Sequence, residues 1–468
     1  MDISSLPIIE MAHLLEAGKL SPVELVEAHL ERIDTTNETL NAFITVTREE
    51  ARSAAKQAEK AIRNGEYRGA LHGIPIAFKD LFNTAALRTT SGTTVMADFF
   101  PKEDATVVAK LREAGAILLG KLNMNELAFG PTGENLHYGD CLNPWNNSHL
   151  SGGSSSGSAA TVAAGACAAT LGTDTGGSIR IPASLCGIVG LKPTYGRVSL
   201  YGVTPLCWSM DHVGPMTRTV MDCALVLQSI AGHDPKDPTS QDRPVPNYME
   251  LLTGSGPPLR IGVPQEHVWA PLSEPVRFAV KKALQTFTDL GSSVVEISIP
   301  LLTESVEVST TIMGAEAIAS NGAILEKHGS ELDPRVKERL ELGKAISATD
   351  YIQAQKIRTV LVQQTRDVLQ SVDILAFPTC SIAAPQRGVT EINAGDARIP
   401  VLHALTRLTR FSNLTGYPAI SLPCGLSHDG LPIGLQLVGR PFEEETLLHA
   451  AYDYQEATEW HLHRPPIG

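Results

Sequence analysis

Three short stretches in the first half of the chain carry the residues best suited to hydrolytic chemistry. They are GIPIAFKD, which contains Lys79, GGSSSGSAA, which contains Ser154, and GTDTGGSIR, which contains Ser178. Small and apolar neighbours allow each side chain to be desolvated and approached closely by backbone. A serine hydroxyl needs a base to take its proton, and a buried lysine can be that base because burial favours its neutral form. The stretches predict serine–lysine chemistry on an amide bond.

The glycine-rich run around Ser154 has other interpretations. It does not match a phosphate-binding loop, because no Gly-Lys-Ser/Thr follows at the required spacing. Residues 153–157 do fit GxSxG, the nucleophile elbow, with Ser155 at the centre. An elbow follows a buried strand, whereas the preceding NPWNNSHLSG is polar and rich in turn residues. A nucleophile elbow and a plain glycine-rich turn therefore stay open as alternatives.

Taken together, the three stretches resemble the amidase signature family. GGSSSGSAA, GTDTGGSIRIPASLCGIVGLKPTYGRVS and DHVGPMTRTV follow its central block almost residue for residue, and the spacing of the two serines matches. Looser matches, which include KLNMNELAFG, GYPAISLPCG and GLPIGLQLVGRPF, extend the resemblance over nearly the whole chain. The resemblance implies that Ser178 is the nucleophile, that Ser154 is a bridging serine following a cis peptide, and that Lys79 is the base.

The residues just before the expected nucleophile are suited to stabilising negative charge. Attack on an amide carbonyl creates an oxyanion, and the run Thr175, Gly176, Gly177 and Ser178 offers consecutive backbone N–H groups with little steric obstruction. We expect these residues to form the oxyanion hole. The neighbouring Asp174 and Arg180 are expected to pair with each other in a structural role.

Substrate recognition is less clear from the sequence. By resemblance, Phe129, Gly130, Thr132 and Trp208 approach the acyl side of the pocket, although Trp208 could equally belong to the core. Aromatic and thioether walls would favour an uncharged or aryl acyl group. We therefore expect a stand-alone amidase that hydrolyses a small-molecule amide to a carboxylate and ammonia or an amine.

The alternative is the glutaminase (A) subunit of a tRNA-dependent glutamyl/aspartyl amidotransferase, which belongs to the same family. By resemblance, Arg358 in the segment AQKIR would then hold the α-carboxylate of glutamine, with Asp429 as a candidate partner for its amine. The stretch before that segment lacks the tyrosine- and arginine-rich sequence that this alternative would lead us to expect. The third class is a non-catalytic scaffold, but it would be expected to have lost Lys79 or Ser178, and the chain has both.

Composition limits the partners. The 468-residue chain has a formal net charge of -13 and no cluster of Lys and Arg, which argues against a nucleic-acid surface. We expect a small amide as the partner and no direct contact with nucleic acid or membrane, and a homodimer is one possible state. No HExxH motif or paired Cys/His spacing occurs, so no metal or other cofactor is expected. The 14 histidines, including His72, His137, His149 and His212 near the motifs, are not needed by a lysine base.

The cysteines and the N-terminus predict a cytoplasmic protein. The 7 cysteines have no CxxC spacing and mostly adjoin small or apolar residues, which is typical of reduced, buried thiols. The first residues have no basic segment followed by a long apolar run, and no stretch is long and apolar enough to span a membrane.

The elements that must position these residues indicate an α/β fold. Short apolar runs bounded by Gly and Pro alternate with helical patterns, which predicts one domain over residues 1–468 with a mixed, twisted β-sheet covered by helices on both faces. The charged, helix-favouring residues 301–369 are expected to form a helical cover. Ser21 and Thr47 are expected to begin helices with capping boxes. Strands are expected at residues 74–78, 116–120, 260–263, 294–299, 373–377, 419–422 and 433–438.

Overall fold

The computed structural model describes residues 3–252 and 256–467. Its centre is an 11-stranded sheet with the strand order β1-β3-β2-β4-β6-β5-β12-β13-β9-β7-β8, and β10 and β11 form a separate hairpin. The strands are β1 (Phe43–Val46), β2 (Pro75–Lys79), β3 (Ile117–Leu122), β4 (Ala169–Thr173), β5 (Val189–Lys192), β6 (Val213–Thr217), β7 (Arg260–Pro264), β8 (Ser293–Ile297), β9 (Ile374–Pro378), β10 (Glu391–Ala394), β11 (Ala397–Pro400), β12 (Ala419–Leu426) and β13 (Pro432–Val438).

Helices cover both faces of this mixed sheet, which confirms the predicted fold class. They are α1 (Ile8–Glu16), α2 (Pro22–Leu40), α3 (Arg48–Arg63), α4 (Thr106–Glu113), α5 (Ser156–Ala163), α6 (Arg180–Cys186), α7 (Val220–Ile230), α8 (Tyr248–Leu251), α9 (Glu274–Asp289), α10 (Ser305–His328), α11 (Pro334–Lys344), α12 (Ala348–Val368), α13 (Val401–Thr406), α14 (Arg410–Thr415) and α15 (Glu444–Glu456).

Two adjacent parallel strands define the edge of the sheet where the site forms. Strand β2 pairs in parallel with β4, with Phe78 opposite Leu171. Because parallel strands end at the same edge of a sheet, Lys79 at the end of β2 and Thr173 at the end of β4 lie side by side. Both strands are buried along their whole length, so the side chains at their ends are withdrawn from water.

The strands expected from the apolar runs are present as β2, β3, β7, β8, β9, β12 and β13, each within one to four residues of its expected ends. The sequence did not reveal the short strands β1, β4, β5, β6, β10 and β11. The capping box at Ser21 is confirmed, since its side chain accepts the N–H groups of Val23 and Glu24. The one expected at Thr47 is wrong, because that hydroxyl donates to the carbonyl of Leu118 on β3 at 2.9 Å.

Residues 301–369 form α10, α11 and α12, and α10 packs against both of the other helices. Helix α10 also contacts α14, so the cover is connected to the C-terminal part of the chain. The largest cluster of buried apolar side chains extends from Leu6 to Tyr454 and includes residues of this cover. That residues 1–468 form one domain stays a prediction.

Candidate active site

Lys79 is completely buried at the end of β2. Its Nζ donates to Ser154 Oγ at 2.7 Å and to Thr173 Oγ1 at 2.8 Å. Burial lowers the pKa of Lys79 to about 7, while the charges of Asp174 and Asp211 act in the opposite direction. A large fraction of Lys79 is therefore neutral near neutral pH, as a general base must be.

Ser154 lies in a tightly packed loop that leads into α5. The Gly153–Ser154 peptide bond is cis. The N–H of Asn125 donates to the Ser154 carbonyl at 3.3 Å, and the Asn125 side chain accepts the N–H of Gly133 at 2.9 Å. A Cβ at Gly153 would lie 2.1 Å from Asn125 Oδ1, so this position requires glycine. Asn125 therefore connects two loops and holds Ser154 against Lys79.

Ser178 follows β4 and is 9% exposed. The N–H of Ser155 donates to the Ser178 carbonyl at 3.2 Å, which keeps the loop of Ser154 next to Ser178. Ser178 is also one of the residues that line a cavity of about 370 Å³. The structure thus brings the three expected catalytic residues to one place, with Lys79 and Ser154 inside and Ser178 at the opening.

Asp174 organises the turn before Ser178. Its carboxylate accepts the N–H of Gly177 at 2.8 Å and that of Ile179 at 3.1 Å, and it forms a buried ion pair with Arg180 at 2.9 Å. The guanidinium of Arg180 holds the Asp174 pKa well below its usual range despite burial. The pairing expected from the sequence is confirmed. The Asp174 carboxylate also accepts the N–H of Gly177. Of the four expected oxyanion donors, this leaves the N–H groups of Thr175, Gly176 and Ser178.

Asp211, to which the sequence analysis gave no role, supports the other side of this turn. It accepts a hydrogen bond from Thr175 Oγ1 at 2.6 Å and from the N–H groups of Leu206 and Cys207 at 2.8 and 3.0 Å. Burial raises its pKa to about 6. Thr173, which receives the second hydrogen bond of Lys79, was also missed. Both lie in or next to the matching motifs, and their position there is the signal that could have found them.

The cavity next to Ser178 lies between the sheet core and the helical cover. Its walls come from residues 128–131, from Thr175 and Gly176, from residues 310–314 of α10 and from residues of α11. Arg339 of α11 and Arg410 of α14 also line it. No acidic residue and no histidine is among the described residues that line it.

The expected substrate residues divide into two groups. Phe129 and Gly130 line the cavity. Thr132 does not: it lies behind the wall, where its hydroxyl accepts from Asn125. The assignment of Trp208 is wrong both as a pocket residue and as a core residue, because its side chain is 62% exposed and borders a different depression.

Arg358 also lies away from the cavity. Its guanidinium donates to Ser209 Oγ and the Ser209 carbonyl, both at 2.9 Å, and to the Leu414 carbonyl at 2.6 Å. With these bonds Arg358 holds the loop around Ser209 against α14. The structure therefore contradicts the expectation that Arg358 binds the α-carboxylate of glutamine in this cavity. Asp429 is exposed in the β12–β13 turn and does not line the cavity either.

The elbow interpretation of Ser155 is wrong. The residues directly before Ser155 form turns and bends and not a strand. Its hydroxyl is fully buried and donates to the Thr173 carbonyl at 3.2 Å. None of the histidines near the motifs lines the cavity, although His212 pairs with the backbone of Asp174. Buried His212, for example, contacts the Met210 carbonyl at 2.7 Å through Nδ1, and burial holds its pKa well below the usual range.

Comparison with known proteins agrees with this geometry. The family model for amidases matches residues 24–448. The chain belongs to the amidase signature family. The family resemblance read from the sequence is thereby confirmed, and the chain is an enzyme of a family that hydrolyses amides.

Amidotransferase A subunits and a protein connected with s-triazine catabolism are similar to this chain over almost its full length. The glutamyl-tRNA(Gln) amidotransferase A subunit of Geobacter metallireducens is 43% identical over 491 aligned residues, covering 100% of each chain. A protein from a vestigial complex, connected with the origin of an s-triazine catabolic enzyme, has a TM-score of 0.92 at 34% identity, covering 96% of this chain and 98% of that one. The amidotransferase A subunit of Thermotoga maritima has a TM-score of 0.80 at 33% identity, covering 96% and 94%.

These relatives correct the expectation about partners. The expectation from the sequence is a small amide as the partner, no direct contact with nucleic acid and a homodimer as one possible state. Several similar proteins are instead named subunits of an amidotransferase for glutamyl-tRNA(Gln). An acidic net charge did not reveal this, because one member of an assembly can serve a tRNA reaction through the other members.

Within residues 3–252 and 256–467, no helix has the length and apolar character needed to cross a membrane. A cytoplasmic location stays a prediction. All seven cysteines are free and buried.

Proposed function

We propose that the chain hydrolyses a carboxamide to a carboxylate and ammonia through an acyl-enzyme on Ser178. The observation that carries this proposal is the 2.7 Å hydrogen bond from Lys79 to Ser154, buried directly behind Ser178. A lysine with its pKa lowered to about 7 can accept a proton there, and the cavity gives an amide access to Ser178.

In the first half of the reaction, Ser178 Oγ attacks the amide carbon. Its proton passes to Ser154 Oγ, whose own proton passes to neutral Lys79. The tetrahedral intermediate carries negative charge on the former carbonyl oxygen, which the N–H groups of Thr175, Gly176 and Ser178 stabilise. Collapse breaks the carbon–nitrogen bond, and the departing amine receives a proton from Lys79 by the same relay through Ser154.

In the second half, water attacks the Ser178 ester. The relay of Ser154 and Lys79 takes one proton from this water and returns one to Ser178 Oγ as the carboxylic acid leaves. The acid then gives its proton to the released ammonia or to solvent and becomes the carboxylate. One water is consumed, one amide bond breaks, and Lys79 ends neutral again. The buried ion pair of Asp174 and Arg180 keeps the loop in place during both steps.

The full-length similarity to amidotransferase A subunits favours one setting for this reaction. In that setting, the chain releases ammonia from glutamine and passes it to an assembly that amidates glutamyl-tRNA(Gln). A test is to add the purified partner subunits and glutamyl-tRNA to the protein. Glutamine-dependent formation of glutaminyl-tRNA is the expected result, and its absence in the presence of active partners contradicts this setting.

A stand-alone amidase is the second candidate, and the cavity favours it. Arg358 is engaged with Ser209 and Leu414, and no described carboxylate lines the cavity to hold the α-ammonium group of glutamine. Ammonia release from other amides by the chain alone would support this candidate.

The reaction itself is tested with three variants of the site. S178A should abolish ammonia release, and S154A should reduce it by about 100-fold or more, because the proton relay is lost. Ser158 in the same motif is equally buried but donates to the Leu171 carbonyl, so S158A is the matched control and should keep most of the activity. Hydroxylamine should trap the acyl group as a hydroxamate. Full activity of S178A would refute the proposal.

A further inference from the structure

Two guanidinium groups line the cavity that also contains Ser178. Arg339 comes from the middle of α11, and Arg410 is the first residue of α14. Neither forms an ion pair with a carboxylate in the part of the chain that the structure describes. The cavity wall therefore carries positive charge and, among its described residues, no negative charge.

Arg410 lies immediately next to the expected oxyanion loop. A Cβ at Gly176 would be 3.7 Å from Arg410 Cγ. One nitrogen of Arg410 donates to three acceptors on α10, which are Thr310 Oγ1 at 2.5 Å, Ser309 Oγ at 3.2 Å and the Val306 carbonyl at 3.3 Å. Its Nε is buried and has no hydrogen-bond partner among the described residues. Arg410 is thus anchored at one edge and has unused donor capacity close to Ser178.

Arg339 is held against the wall formed by Phe129. It donates to the Phe129 carbonyl, and its guanidinium carbon lies 5.7 Å from the centre of that ring. The acidic groups that face it are Glu338 on its own helix, together with Asp333 and Glu134. The last two are already paired with Arg335, at 2.6 and 2.8 Å.

The charge of Arg339 also acts on Arg410. Burial, with a smaller contribution from the charge of Arg339, lowers the pKa of Arg410 to about 10. Neither of these partly desolvated cations is in contact with a carboxylate of the described residues, so an anion that binds between them or to either one would stabilise them. A carboxylate matches the planar donor geometry of a guanidinium.

We propose that Arg410 and Arg339 bind a carboxylate of the amide substrate, so that the preferred substrate is a short monoamide of a dicarboxylic acid without an α-ammonium group. This rests on the amide hydrolysis proposed above, with the chain acting as the stand-alone amidase and not on glutamine. An α-ammonium group would meet two cations and no described carboxylate in the cavity lining. This proposal differs from the uncharged or aryl acyl group expected from the sequence. That expectation depended on Trp208, which does not line the cavity.

Four amides built on butanamide, which differ only in the charged groups at carbon 4, test each charge separately. They are glutaramate, which has only the carboxylate, glutamine, which has both charges, 4-aminobutanamide, which has only the ammonium, and butanamide, which has neither. We expect the kcat/KM for ammonia release from glutaramate to exceed that from butanamide by about 10- to 100-fold, as for a charge-assisted contact. Glutamine should fall below glutaramate, and 4-aminobutanamide should be the poorest.

Substitution of the arginines should remove the preference. R410Q and R339Q are each expected to lower the ratio of kcat/KM for glutaramate to that for butanamide by about tenfold or more. The matched control is R366Q, on the exposed side of α12, which should keep the wild-type ratio. The ratio is informative because a general disturbance of α10 would lower both rates together. An unchanged ratio in both cavity variants overturns the inference.

Binding separates this inference from the proposed reaction. S178A should bind glutaramate at least tenfold more tightly than butanamide in isothermal titration calorimetry, whether or not the wild type turns either over. Equal binding of the two, or a wild-type preference for glutamine over glutaramate, overturns the inference but leaves the hydrolytic mechanism. Absence of turnover for all four amides, with tight binding of glutaramate to S178A, refutes the mechanism and keeps the carboxylate site.

Discussion

Replacement of Lys79 by methionine should make the protein more stable at neutral pH although it destroys the proposed base. Lys79 is fully buried, and no carboxylate in the described structure lies within ion-pair distance of Nζ. Folding lowers its pKa from 10.5 to about 7. The unfolded chain therefore binds more protons than the native protein between these values, and the free energy of unfolding rises with pH across this window.

The magnitude follows from the size of the shift. At pH 7, the cost of keeping Lys79 in the native protein is on the order of 5 kcal/mol, from about 1.4 kcal/mol for each pH unit. K79M removes this cost but loses the hydrogen bonds to Ser154 and Thr173, at about 1 kcal/mol each. The net gain at pH 7 is about 3 kcal/mol. Because the cost disappears towards pH 10.5, the sign reverses near pH 9, and above it K79M is less stable by about 2 kcal/mol.

Thermal unfolding of the wild type and K79M from pH 7 to pH 10.5 measures this reversal. Scaled to the length of the chain, a difference of 3 kcal/mol corresponds to a shift in Tm of about 3 °C. The control is K121M, since buried Lys121 pairs with buried Asp80 at 3.1 Å and its loss leaves a charge unpaired. K121M should lower the Tm at every pH. A K79M protein that is less stable than the wild type by the same amount at all pH values would refute the reasoning.

Three further outcomes follow from the site. The kcat/KM for ammonia release should fall about tenfold per pH unit below pH 7 and level off above it, because the protonated lysine cannot accept a proton; a profile that is flat from pH 5 to pH 9 contradicts a lysine base. G177A should destabilise the protein by several kcal/mol and abolish activity, since its Cβ would lie 2.3 Å from Thr409 Oγ1 and the backbone φ is +127°. The control is G65A, which has a φ of +82° and open space around the new Cβ, and should cost only about 1 kcal/mol in urea unfolding. R180M leaves the carboxylate of Asp174 buried and unpaired, and should lower the unfolding free energy by about 3–5 kcal/mol in the same assay; a loss under 1 kcal/mol would contradict the ion-pair argument.

Much of the fold could be predicted because its signals are local. Apolar runs bounded by Gly and Pro indicate strands such as β7 and β13, since a buried strand needs side chains of this kind whatever its neighbours are. The short strands β1, β4, β5 and β6 have few residues of their own and depend on pairing with partners elsewhere in the chain. The Thr47 capping box fails for the same reason, because a carbonyl on β3 competes for its hydroxyl.

The residues that could form the site are evident from the amino-acid sequence. Serines among glycines and a lysine after an apolar run are recognisable without coordinates, because the close backbone approach and the loop geometry depend on the residues themselves. The pair of Asp174 and Arg180 was also predictable, since the two are close in the chain and form one turn.

The environment of that site, in contrast, depends on contacts between distant parts of the chain. The pKa of Lys79 is set by the segments that bury it, and the strand pair β2–β4 brings Thr173 to its side. Trp208 lies on the surface, whereas Arg339 and Arg410 reach the cavity because α11 and α14 fold over Ser178. Their local sequences carry no signal of this, since side-chain placement in a pocket depends on long-range packing and not on the neighbours in the chain.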